Sequence, residues 1–188
     1  YGKAIGIDPN FNILDSEDSK SLMKLCRSSV AIPDDKYFPK ADLINKIISL
    51  SANLKEPISD IIKSRFSQID ENYILIIERI GQLYKEKKTQ SNSLDFDDLL
   101  YQWNRLLLES EKVREKLARQ FKYILVDEYQ DTNHIQGEII NHLSGQDQNV
   151  LVVGDDSQSI YSFRGAIVDN IFLSSIIFFL CRAPINLE

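Results

Sequence analysis

A chain of 188 residues with 43% hydrophobic content can close one packed core or two small ones, and its apolar runs fall well short of the ~20 residues needed to cross a bilayer. The formal charge of −6 is uneven: residues 1–120 hold 19 basic and 19 acidic side chains and residues 121–188 hold 3 and 9, which argues against a simple basic nucleic-acid surface. Cys26 and Cys181 form no CxxC pair, so neither a disulfide framework nor a zinc site is encoded and a reducing cytoplasm is expected, and YGKAIGIDPN lacks the basic and apolar regions of a signal peptide.

Residues 1–14 read as an irregular lead-in, with Gly2, Gly6 and Pro9 separating short apolar pairs. Asp15 and Ser16 can cap a helix through Leu22, Met23, Leu25 and Cys26, with Glu17 and Asp18 well placed in its first turn. Pro33, Asp34 and Asp35 make a turn. From Lys40 to Leu54, Ala41, Leu43, Ile44, Ile47, Ile48 and Leu50 keep the helical period, and Pro57 opens a short helix through Ile58, Ile61 and Ile62. A longer helix is predicted from Asn72 to Lys88, with Ile74, Ile76, Ile77, Ile80 and Leu83 inward. Lys85, Lys87 and Lys88 at its end suit the negative pole of the helix dipole, with a nucleic-acid contact as the alternative.

Thr89 to Ser93 read as a polar linker. Asp95 can then cap a helix whose apolar face is Phe96, Leu99, Leu100, Trp103, Leu106 and Leu107. Asp95, Asp97 and Asp98 are read as cap and dipole partners rather than metal ligands, and Glu111 to Gln120 as a short charged helix. The pattern changes at Phe121. Two β-type runs, Tyr123–Val126 and Val150–Val153, flank a helix from Asn133 to Leu143 that has Asn133 as cap and Gly145 as stop. His134 and His142 lie about two turns apart on it, too far to share a metal. A helix from about Val168 to Leu180 is predicted next, and Pro184 to Glu188 can begin another strand.

Both runs end in acids, Asp127 and Glu128 after the first and Asp155 and Asp156 after the second. In parallel sheets ligands sit beyond the carboxyl ends of strands, so these are candidates for chemistry. Adjacent carboxylates suit a division of labour over Mg²⁺ and a phosphate: one holds the metal and the other orients or deprotonates the attacking water. An acidic strand end without such a role is the alternative. In the second loop Gly154 permits a sharp exit from the strand, and Gln158 is a neutral donor able to sense a phosphate oxygen. Tyr161 and Phe163, followed by Arg164, either form a stacking platform for unpaired bases or pack inward.

VDEYQDTN and VVGDDSQSIYSFRGA resemble motifs II and III of the superfamily 1 DNA helicases related to UvrD, PcrA and Rep, and FNILDSED and LDFDDLL resemble the family more weakly upstream. The resemblance implies an α/β fold, mostly helical overall, with a partial RecA-like (P-loop NTPase) parallel sheet core at 119–188 and a large all-helical insertion at 1–118. It implies a motor that couples ATP hydrolysis to translocation on single-stranded DNA and unwinding at single-strand/duplex junctions, with ATP and Mg²⁺ as cofactors and repair or recombination proteins as partners. Asp127 is then the Mg²⁺ ligand and Glu128 the activator of water. Gln158 reports the γ-phosphate, Gln130 joins Asp127 and Gln158 at the nucleotide, and Tyr161, Phe163 and Arg164 serve the DNA. Phe163 stands where relatives often carry Trp. Residues 1–188 contain no GxxxxGK[ST] loop, so an internal fragment inactive in isolation is expected. The alternatives are a non-catalytic DNA- or protein-binding module and a truncated, inactive product.

Overall fold

A computed structural model describes residues 1–33, 35–145 and 149–154, together with the backbone of 177–180. The chain divides into two compact units, one of Gly2 and residues 6–100 and the other of residues 1, 3–5 and 101–188.

In the helical unit, helix α1 (Ser16–Ser28) starts where Asp15 accepts hydrogen bonds from the Glu17 and Asp18 amides, the expected cap. Helix α2 (Ala41–Leu54) closes on Lys55 in the left-handed region, φ 55°, and Pro57 immediately precedes α3 (Ile58–Arg65). Helix α4 (Ile74–Gln90) follows a 3-10 turn at Glu71–Tyr73. Met23, Cys26, Ile44, Ile47, Ile61, Ile62, Ile77 and Ile80 are wholly enclosed, and each aliphatic side chain among them is worth roughly 1.5–3 kcal/mol of transfer free energy. The predicted spacing of isoleucines is therefore the core, with Tyr84 added on α4.

Three features along these residues and the helix that follows them differ from expectation. Asn12–Ile13 (β1) and Ser93–Leu94 (β2) pair in parallel, although neither two-residue segment has a period to read. Lys88 does not simply face solvent at a helix end. It is 7% exposed, and its Nζ lies 2.6 Å from Asp95 Oδ2 and 2.5 Å from Asp98 Oδ2. Asp95 and Asp98 also exchange side-chain-to-amide hydrogen bonds at the start of α5 (Phe96–Glu109), so the aspartates are caps as predicted, with a buried cation added. On α5 the apolar face is narrower than predicted: Phe96 and Trp103 are 57% and 42% exposed, while Asn104, Leu106 and Leu107 are buried.

In the strand-bearing unit, α6 (Glu111–Gln120) leads to β3 (Ile124–Val126), α7 (His134–Ser144) and β4 (Val150–Gly154). Asn133 and Gln136 form a reciprocal capping box at the start of α7, and Gly145 ends it at φ 60°. Strands β3 and β4 are parallel, with Ile124, Leu125 and Val126 opposite Val150, Leu151 and Val152. Ile124, Val126, Val150 and Val152 share a face packed with Tyr129 and Ile140, while Leu125 on the other face is 74% exposed. The predicted strand–helix–strand unit is present.

Residues 177–180 correct the sequence reading. They form a third strand, β5 (Ile177–Leu180), parallel to β4 in the order β3-β4-β5, rather than the end of a helix. A short apolar run fits either state by pattern alone, and a run of β-branched and aromatic residues beside an open strand edge gains more from pairing.

Candidate active site at the end of β3

The site is built from the residues that leave β3. Asp127 and Glu128 are both exposed beyond the carboxyl end of the strand. The Glu128 amide donates to Asp127 Oδ1 at 2.9 Å, and among the described residues nothing engages Asp127 Oδ2. Glu128 has φ 51° and ψ 44°, a left-handed conformation that costs a non-glycine residue about 1–2 kcal/mol. Such strain persists only where the surroundings hold it, and it gathers at functional sites. Here it turns the chain at once into a 3-10 turn, Tyr129–Asp131, closed by the Asp131 amide on the Glu128 carbonyl at 2.9 Å and the Thr132 amide on the Tyr129 carbonyl at 3.0 Å.

The turn sends alternate side chains to different places. Tyr129 is buried against the sheet, where burial pushes its phenol up. Gln130, 1% exposed, donates from Nε2 to Glu128 Oε2 at 2.5 Å. Asp131 Oδ1 is buried and has no hydrogen-bond partner among the described residues. From β4, Gly154 meets the underside of this turn: a Cβ there would stand 2.7 Å from Gln130 Oε1 and 3.3 Å from the Tyr129 nitrogen.

Of the residues singled out in the sequence, the structure brings Asp127, Glu128 and Gln130 together on one turn. Asp155, Asp156, Gln158, Tyr161, Phe163 and Arg164 lie outside the described residues. Two features were missed by sequence reasoning. The left-handed Glu128 carries no local signal, because glutamate is not a residue type that favours positive φ. Gly154 was read as a strand exit, whereas its visible effect is to admit Gln130 through the Cβ it lacks.

No group of three or more His, Cys, Asp or Glu side chains among the described residues forms a metal cage. The paired carboxylates still fit Mg²⁺, which is commonly held by one or two carboxylates plus substrate phosphates while keeping several waters. Asp127, exposed and with one oxygen unengaged among the described residues, is the donor that fits. Among the described residues no helix is long and apolar enough to cross a membrane.

A parallel strand–helix–strand unit with adjacent carboxylates on a strained turn beyond a strand end defines an α/β protein, a class whose ligands bind beyond the strand carboxyl ends. The chain belongs to the UvrD/REP helicase N-terminal domain family, whose description matches residues 1–175. It is 38% identical over 172 residues to the ATP-dependent DNA helicase Rep of Escherichia coli, covering 92% of this chain and 24% of that protein. It is 37% identical over 168 residues to the ATP-dependent DNA helicase PcrA of Bacillus subtilis, covering 89% and 22%. A probable DNA helicase II homolog of Mycoplasma capricolum is 37% identical over 172 residues, covering 89% and 23%. The chain thus spans about a quarter of the length of these relatives.

Proposed function

We propose that this chain contributes the hydrolytic strand end of an ATP-dependent DNA helicase motor, working on single-stranded DNA and its junctions with duplex in the cytoplasm, alongside repair or recombination proteins. Residues 1–118 are assigned to a helical insertion and 119–188 to part of a RecA-like core. The observation that carries the reading is the pair of exposed carboxylates on adjacent residues beyond β3, the second of them held in the left-handed conformation.

Asp127 would hold Mg²⁺, which when bound offsets the charge of the ATP phosphates. Glu128 takes a proton from the attacking water. The hydroxide lone pair forms the new bond to the terminal phosphorus, and the phosphorus–oxygen bond to the departing diphosphate breaks. Gln158 is assigned to sense the γ-phosphate, with Gln130 in the same nucleotide-facing cluster, and Tyr161, Phe163 and Arg164 to meet unpaired bases.

The test places residues 1–175 into the matched stretch of E. coli Rep and measures DNA-stimulated ATP hydrolysis. Glu128→Gln is expected to lower kcat by about 10²–10⁴-fold, the usual worth of a positioned general base. Unchanged hydrolysis in that variant refutes the assignment of Glu128. The 188-residue chain by itself, lacking a GxxxxGK[ST] loop in its sequence, is expected to show no hydrolysis.

A further inference from the structure

Glu128 is an exposed residue with three side-chain torsions, and an unsupported carboxylate of that kind samples many positions. A base must sit within hydrogen-bond reach of the proton it removes, so something has to hold it. On this turn the holder is visible. The Gln130 amide donates to Glu128 Oε2 at 2.5 Å, leaving Oε1 without a partner among the described residues. Among the described residues one carboxylate oxygen is tethered and the other is open.

The orientation of the Gln130 amide follows from chemistry as well as from space. An ionised carboxylate only accepts, so the nitrogen and not the oxygen of the amide must face Glu128. That directs Oε1 toward Gly154, where the missing Cβ provides the room, since a methyl group would come within 2.7 Å of it. Gln130 is 1% exposed, far more enclosed than the Glu128 it grips. A residue buried this deeply suits the support of a reactive group better than direct ligand contact.

We propose that Gln130 is the positioning residue for Glu128, its buried amide tethering one carboxylate oxygen while the side-chain-free Gly154 of the neighbouring strand leaves the room that amide needs. The proposal rests on the reading of Glu128 as the base and changes the expected part of Gln130 from nucleotide contact to support. It also joins the two strand ends, because a change on β4 then reaches the base on the β3 turn through one amide.

Two measurements test it. In the 188-residue chain, the Gln130 side-chain amide is followed by ¹H–¹⁵N NMR; it is expected to exchange slowly with solvent and to shift in Glu128→Ala and in Gly154→Ala. In the Rep chimaera, Gln130→Met, which keeps the buried volume, and Gly154→Ala are each expected to lower kcat about 10–100-fold and to leave KM for ATP within about twofold, as for loss of an outer-shell support. A raised KM with kcat intact would identify Gln130 as a nucleotide contact and overturn the proposal, as would no change in either constant. An amide signal indifferent to Glu128→Ala overturns it without reference to hydrolysis. If Glu128→Gln hydrolyses ATP normally, the reading of the base fails instead, and the NMR result still decides whether Gln130 holds Glu128.

Discussion

Replacing Lys88 with Met should destabilise the helical unit severely, and more so at neutral than at acidic pH. The side chains of Lys88, Asp95 and Asp98 are 9%, 13% and 29% exposed, with Nζ 2.6 and 2.5 Å from the two carboxylates and the Tyr84 hydroxyl donating to Asp95 Oδ2 at 2.9 Å. Met preserves the aliphatic stem, so the change removes charge with little loss of packing. Breaking a buried ion pair by removing one partner typically costs about 3–5 kcal/mol, and the partial exposure of Asp98 places this case near the lower figure. About 3 kcal/mol is roughly a hundredfold in an equilibrium constant. The two carboxyls respond oppositely in the native chain. Burial pushes Asp95 up, but Lys88 and hydrogen bonds from Lys88, the Asp98 amide and Tyr84 outweigh it and hold it below the usual carboxylate range. Burial and the Asp95 charge hold Asp98 above that range despite Lys88. Asp95 thus contributes stability above its unfolded pKa that is lost as pH falls through its folded value. Asp98 contributes stability below its unfolded pKa that is lost as pH rises through its folded value. Without Lys88 both carboxyls move up, so the folded variant binds protons more readily than the unfolded chain, and acidification from pH 7 to pH 5 should recover part of the loss. Native-state hydrogen exchange at the buried Ile77 and Ile80 on α4 reads the opening of this unit alone. A loss of protection under fivefold at pH 7, or a loss equal at both pH values, would refute the reasoning.

Two smaller changes test the local geometry. Asn133→Ala removes one half of the capping box with Gln136, whose two bonds are each 2.9 Å, and should cost about 1 kcal/mol, read as faster exchange of the Gln136 and Gly137 amides. Lys55→Gly replaces an exposed residue at φ 55°. The relieved strain of about 1–2 kcal/mol exceeds the extra backbone entropy of glycine, about 0.5–1 kcal/mol, so stability measured by urea unfolding should rise by about 0.5–1 kcal/mol.

The helices were legible because their cores repeat. Ile44 and Ile47 on α2 and Ile77 and Ile80 on α4 carry the period in plain view, and Asp15 and Asn133 announce the helix starts beside them. What the sequence hid was set by partners that no helical or strand period brings together. Lys88 has the position of an ordinary dipole partner, and only the fold brings Asp95 and Asp98 onto it. Ile177–Leu180 has no signal that separates helix from strand until β4 offers its edge. The same division holds at the candidate site: Asp127 and Glu128 stand out by type and place, whereas the grip of Gln130 on Glu128 depends on a backbone turn and on Gly154 of another strand.

The strain at Glu128 gives that dependence a physical direction. A glutamate following a strand would ordinarily continue in the extended region, on the opposite side of the chain from its predecessor. In the left-handed conformation it instead leads directly into the 3-10 turn, and Gln130 can reach back to its carboxylate within two residues. The charge-assisted hydrogen bond to Gln130, about 1.5–3 kcal/mol, is of the same size as the backbone cost of about 1–2 kcal/mol. The turn is therefore close to balanced with the tether made and unfavourable without it. Loss of the Gln130 amide should release the Glu128 backbone as well as its side chain, and the intraresidue HN–Hα nuclear Overhauser effect of Glu128, strong only while φ is positive, reports this in Gln130→Met. An effect as strong as in the unsubstituted chain would show that the turn holds itself near φ +51°.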